Sequence, residues 1–111
     1  MKRIILEMGS GTDLEGTDYT KAACRAVRDA MSHSYLPMFR ETGLSPDAMR
    51  ITVTLAAQQP EAIDRAAVAA ELPYGEVEVN AVSGGLDIAF PARGDRSVTV
   101  NAAIEVRHPM R

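Results

Sequence analysis

Tryptophan is absent from this chain, aromatic residues make up only 5% of it, and there is a single cysteine. Cys24 alone excludes a disulfide framework and a C-x-x-C metal site, and its place beside Ala23 reads as a packed thiol. With few aromatics, Ala and Val must fill the core. Each buries little area at roughly 25 cal/mol per Å², so association of subunits is a natural source of further burial. Lysine is scarce too, occurring only as Lys2 and Lys21. The 111 residues carry a formal net charge of −3, and their basic residues are dispersed, which argues against a nucleic-acid or anionic-membrane surface. No long hydrophobic run, signal peptide, lipidation motif, repeat or low-complexity tract is visible. The expectation is one cytoplasmic domain over residues 1–111.

What is there is organised around residues 3–31: an apolar run, a glycine-rich turn and an Ala-rich helix. Strand alternation puts Ile4, Leu6 and Met8 on one face and Arg3, Ile5 and Glu7 on the other. Gly9 and Gly11 then read as the end of the strand. Gly16 precedes a helix with Thr17 or Asp18 as its N-cap. In that helix Ala22, Ala23, Ala26, Val27, Ala30 and Met31 form a narrow stripe of small side chains suited to lying close to a sheet. The opposite flank holds Lys21, Arg25 and Arg28. Lys21 falls in the first turn, where the helix dipole disfavours a cation by roughly 0.3–1 kcal/mol. This leaves two readings. Either Lys21 pairs with Asp13, Glu15 or Asp18 and the glycines only make a turn, or the glycines, helix N-terminus and Lys21 form an anion cradle. The spacing fits neither G-x-G-x-x-G nor G-x-x-x-x-G-K-[ST], so a dinucleotide fingerprint and a P-loop are both excluded.

Residues 32–47 break the pattern with Pro37, Gly43 and Pro46, and gather His33, Tyr35, Met38 and Phe39. Such a loop covers a sheet edge, meets a neighbouring subunit or forms the lid of a pocket. His33 has no partner at metal-ligand spacing and reads as a helix-end cation. Residues 51–55 alternate as a strand. Pro60 opens a second helix to about Leu72, with Ile63, Ala66, Ala67, Ala70 and Leu72 toward the core and Glu61 and Asp64 complementing the dipole. Strands over 76–82, 86–90 and 98–106 come next, the first two joined by a turn at Ser83, Gly84 and Gly85. In the last, Val98, Val100, Ala102, Ile104 and Val106 share a face. The order β-α-β-α-β-β-β predicts an α+β two-layer sandwich, with two helices on one face of a mixed four- to five-stranded sheet. The second face would carry Thr52, Thr54, Glu78, Asn80, Asn101 and Glu105, and so would face water or the centre of a ring of subunits.

Gly9-Ser10-Gly11-Thr12-Asp13-Leu14-Glu15-Gly16, followed by TKAACRAVRDA, resembles a small, mostly bacterial family of conserved hypothetical proteins marked by an N-terminal GxGxDxHG motif. The likeness continues through LPYGEVEVN, SGGL and VNAAIEV. Glu15 stands where that family usually has His, so a metal-ligating or proton-moving role of that His is either missing here or passes to a carboxylate. The family has no assigned activity, and the resemblance therefore implies architecture. More distantly, the Gly-rich turn, the helix and the Ser83-Gly84-Gly85 segment are similar to one repeat of the ring-opening amidohydrolases that cleave cyanuric acid and barbiturate. In those enzymes three repeats, each giving a Ser and a Lys, surround one substrate. That likeness, and the trimeric chorismate-mutase-like folds, imply a homo-oligomer, with a trimer favoured.

The leading expectation is a small-molecule site at a subunit boundary, taking a small anionic or cyclic amide ligand without a cofactor. Its chemistry would rest on Glu7 as base, Lys21 to hold an anionic or carbonyl oxygen, and Ser83. The ligand would be lined by Gly9, Ser10, Gly11, Asp13, Glu15, Gly16, Arg25, Asn80, Gly84, Gly85 and Asn101. The alternatives are a ring-opening enzyme acting on cyclic amides, and an assembly module in which glycine turn and polar sheet face serve packing alone. A hard-cation site from Glu7, Asp13 and Glu15 is a further, lesser possibility.

Overall fold

The computed structural model describes residues 1–33, 46–73, 75–90, 92 and 94–109. Among the described residues five strands and two helices occur in the expected order: β1 (Lys2–Asp13), α1 (Tyr19–Ser32), β2 (Arg50–Ala57), α2 (Arg65–Ala69), β3 (Glu76–Ser83), β4 (Leu86–Ala89) and β5 (Arg96–His108). Single 3-10 turns occupy Pro46–Ala48 and Pro60–Ala62. Tyr35, Pro37, Met38, Phe39 and Gly43, expected in a covering loop, lie outside the described residues.

β5 is the spine. Val98, Val100, Ala102, Ile104 and Val106 alternate along it and are all buried, as their spacing predicts. β1 pairs antiparallel with most of its length, from Lys2 opposite His108 to Asp13 opposite Val98. On the other side β2 takes the C-terminal half of β5 and β4 the N-terminal end, both antiparallel. β3 runs parallel to β2 at the far edge, a pairing that needs the crossover containing α2. The result is the expected mixed sheet in the order β1-β5-β2-β3, with β4 beside β5. Both helices cover one face, and Ile51, Val53 and Leu55 of β2 meet Val27 and Val68 of the helices in that core.

Three local expectations are corrected. The strand does not end at Gly9 and Gly11, because β1 continues to Asp13. The glycines instead admit the helix. A Cβ on Gly9 would fall 2.4 Å from the Ala30 nitrogen, and one on Gly11 would fall 2.3 Å from both the Ala22 oxygen and the Ala26 nitrogen. Backbone lies on backbone here, which is why the α1 stripe consists of Ala22, Ala26 and Ala30.

A bulge at Ile4 is the second correction. Arg3 stands opposite Arg107 and Ile5 opposite Val106, so Ile4 is the extra residue. The bulge moves Arg3 off the face of Ile5 and Glu7, and its guanidinium meets Glu105 at 3.4 Å on the open side. Leu6 and Met8 also face that side and are exposed, as are Val82, Leu86 and Ile88. The open face does carry Thr52, Thr54, Glu78, Asn80, Asn101 and Glu105 in adjoining register. It is more apolar than the pattern of polar residues alone implies.

The third concerns the second helix, expected unbroken from Pro60 to Leu72. Ile63 is extended (φ −84°, ψ 129°), and Asp64 starts a new helix. Its carboxylate accepts from the Ala66 and Ala67 amides at 3.1 and 3.2 Å, the competition with helical continuation that makes Asp an N-cap. The restart shifts the phase: Val68 is buried, while Ala66 and Ala70 are exposed.

Candidate ligand cleft at the first turn of α1

Where β1 stops, its last residue is a buried acid. Asp13 is 5% exposed. Its carboxylate accepts from the Asp18 amide at 2.9 Å and lies 3.8 Å from the Lys21 ammonium. Asp18 caps α1 by accepting from the Lys21 amide at 3.0 Å. A Cβ on Gly16 would stand 2.7 Å from the Asp13 carboxylate, which would have to shift to admit it. Thr17 sits in the left-handed region at φ +53°, costly for a β-branched residue. What holds it is a pair of bonds from one hydroxyl to one residue: Thr17 Oγ1 accepts from the Arg96 amide at 3.0 Å and donates to the Arg96 carbonyl at 3.2 Å. The Ser97 hydroxyl fastens the other end of the loop through the Leu14 carbonyl at 2.7 Å.

Between this fixed loop and α1 lies a shallow, open cleft of about 490 Å³, lined by Thr12, Asp13, Leu14, Glu15, Lys21 and Arg25. Arg25 reaches over the strand edge and donates to the Thr12 carbonyl at 2.6 Å. The cleft thus brings together Asp13, Glu15, Lys21 and Arg25 of the expected set, with Gly16 adjoining. It adds Thr12 and Leu14.

Other expected residues lie elsewhere. Gly9 and Gly11 are roofed by α1. Ser10 is on the free edge of β1, its amide donating to Asp29 at 3.0 Å. Glu7 precedes Gly9, which already lies under Ala26 and Ala30. It is therefore at the C-terminal end of α1 and not beside Lys21, so neither the Glu7–Lys21 pair nor a Glu7, Asp13, Glu15 set is assembled within the chain. Asn80 and Asn101 sit on the open face, opposite Thr54 and Ser10 respectively. Ser83, Gly84 and Gly85 form the step from β3 to β4, separated from β1 by β5. There Gly84 donates to the Ala57 carbonyl at 3.0 Å, and Gly85, at φ +65°, passes so close to the Thr99 carbonyl that a Cβ would be 2.3 Å away. Among the described residues no group of three or more His, Cys, Asp or Glu side chains is placed to hold a metal ion.

One polar cluster escaped the sequence reading. Asp13 and Asp87 flank Val98 from β1 and β4, placing two largely buried carboxylates at one level beneath the start of α1. The Tyr19 hydroxyl donates to Asp87 Oδ2, and the Arg96 guanidinium stands 3.4 Å from the same oxygen. Burial first, then the Asp87 carboxylate, raises the Tyr19 phenol above its ordinary value. The available signal was Asp87 itself, an acid alternating with Leu86 and Ile88 in a strand and so aimed at the core. Cys24 is half-buried, and burial followed by the nearby Glu71 charge raises its thiol, which keeps it protonated.

Fold and cleft together define an open-faced two-layer α+β protein with a polar recess where its first strand passes into its first helix. The chain belongs to the conserved hypothetical protein family Lin0512_fam, whose model matches residues 3–106, in keeping with the resemblance carried by the glycine motif. It is similar to a crystal structure described as an FtsZ-like protein of unknown function from Nostoc punctiforme PCC 73102. The two are 39% identical with a TM-score of 0.82, over 95% of this chain and 93% of that one. Comparison with curated proteins finds no match.

Proposed function

We propose that this chain is a cytoplasmic, small-molecule-binding subunit of a homo-oligomer, with its ligand in the cleft beside Lys21. The observation that carries the reading is the loose hold on that lysine. Its ammonium is 3.8 Å from Asp13, whereas Arg28 and Glu71 close to 2.6 Å, and charge-assisted bonds normally span about 2.7–2.9 Å. A ligand oxygen that is anionic or carbonyl-like fits beside such an ammonium, with Arg25 as a second cation along the same wall. Small anions and cyclic amides are the ligand classes of this reading. Leu14 lines the cleft and is exposed, as are Leu86 and Ile88 of β4. A second subunit covering these side chains would close the cleft, and a trimer accords with the more distant resemblance. Ser83 and Glu7 stand apart from Lys21 within the chain, so binding is favoured over a Ser–Lys nucleophile.

Thermal denaturation with phosphate, small carboxylates, cyclic imides and divalent cations tests the proposal. Ligand at 100 times its Kd stabilises by about 2.7 kcal/mol, a rise of several degrees in Tm. The rise is expected with an anion or imide and is expected to vanish in Lys21→Ala. A panel without effect on the wild type would leave the assembly-module reading in its place.

A further inference from the structure

The free edge of β1 is a row of backbone groups available to any extended chain, the feature through which sheets add strands. On this edge the row is interrupted. The Ser10 amide donates to the Asp29 carboxylate at 3.0 Å, and the Thr12 carbonyl accepts from Arg25 at 2.6 Å. Both side chains come from the same flank of α1, one turn apart.

The spacing matches. Four helical residues rise about 6 Å, and two strand residues span about 6.6 Å. Helix and strand run antiparallel here, because Gly9 lies against Ala26 and Ala30 and Gly11 against Ala22 and Ala26. Arg25 therefore falls level with Thr12, and Asp29 with Ser10. The same flank continues to His33, whose ring lies 3.7 Å from Asp29. It begins at Lys21, beside Asp13. The glycines make this geometry possible by letting the helix settle so low that short reaches suffice. At the other end of the edge the Ile4 bulge disturbs the pairing frame, a second common guard.

We propose that Arg25 and Asp29 form a lock that closes the edge of β1 to strand addition by a second copy of this chain. A second copy is the occupant because two identical edges pair antiparallel about a two-fold axis with no further fitting. Assembly through the open sheet face is compatible with the lock, whereas growth of the sheet through β1 is not.

The test needs no ligand, and its exchange arm changes only Asp29, which does not line the cleft, so that outcome is separable from that of the binding proposal. Amide exchange at Ser10 is followed in the wild type, Asp29→Ala and Asp29→Asn, with sedimentation of the Arg25→Ala, Asp29→Ala double variant alongside. Alanine is the best helix former, so α1 survives each change to it. Ser10 is expected to exchange about tenfold faster in Asp29→Ala, the loss of one charge-assisted bond. It should rise by a smaller factor in Asp29→Asn, which keeps an acceptor oxygen but not the charge. The double variant is expected to sediment as a species heavier than the wild-type assembly, with new amide protection at Leu6, Met8 and Ser10. Unchanged Ser10 exchange in Asp29→Ala overturns the proposal, and so does a double variant that keeps the wild-type mass.

Discussion

Gly11 shows at the scale of one residue how this chain trades side chains for proximity. With backbone atoms at 2.3 Å from the position of a Cβ, Gly11→Ala must push α1 off the sheet. The expected cost is about 3 kcal/mol, at the upper end of overpacking, measured by chemical denaturation. Gly94 is the control: its Cβ would meet nothing within 4 Å, and only its φ of +75° is at stake, so Gly94→Ala should cost about 1 kcal/mol. Tyr19 gives a second prediction. Tyr19→Phe keeps the buried ring but deprives Asp87 of its hydroxyl donor, an expected loss of about 2 kcal/mol. The pH dependence has a definite sign. The folded state raises the phenol above its ordinary 10.0, so this contribution is whole below pH 10 and declines as pH rises toward the folded value. In Tyr19→Phe that part of the alkaline decline should be missing.

At the scale of elements, α1 is held on two sides by different means. One flank meets β1 through the glycines and the Arg25 and Asp29 contacts. The other meets the segment after α2 through Arg28, which donates to Glu71 by both Nε and Nη2 at 3.0 and 2.6 Å. That fork lowers the Glu71 carboxyl below its ordinary value of 4.5. Its contribution is therefore present above the usual carboxylate range and fades as pH falls through the depressed value. Glu71→Gln should flatten the acid limb of the stability profile, read from urea midpoints between pH 3 and 6 as a rough window.

Much of this was legible. Alternation identified β2 and β5, and the Ala stripe at helical spacing identified α1 and its bare face. The hidden part was relational. Glycines that end a strand and glycines that admit a helix look alike until the helix is placed, and Gly9 and Gly11 proved to be the second kind. The Asp64 restart turns on one side chain choosing a local hydrogen bond over the periodic pattern, and the Ile4 bulge on one extra residue in the strand; each breaks the phase between the residues on its two sides. For the cleft, the cation at Lys21 and the nearby acids were expected together, and Asp13, Glu15, Lys21 and Arg25 do line one recess. Glu7 and Ser83 did not join it, because their positions depend on where the strand passes under the helix and where β3 steps across β2.

For the whole molecule, one face of the sheet is sealed by helices and the other is open, with Leu6, Met8, Val82, Leu86 and Ile88 exposed among threonines and asparagines. No described helix is long and apolar enough to cross a membrane. If subunits meet on that face, Leu86→Lys with Ile88→Lys should lower the mass seen by sedimentation equilibrium while leaving the fold intact, because both side chains already point outward. The most direct measurement concerns the cleft. Backbone amide shifts of the labelled protein are followed during titration with phosphate and with a cyclic imide, in the wild type and in Lys21→Ala. Binding beside Lys21 predicts saturable shifts concentrated at residues 12–25 and their loss in the variant. Shifts that are absent, that lie elsewhere, or that persist without the lysine would contradict it.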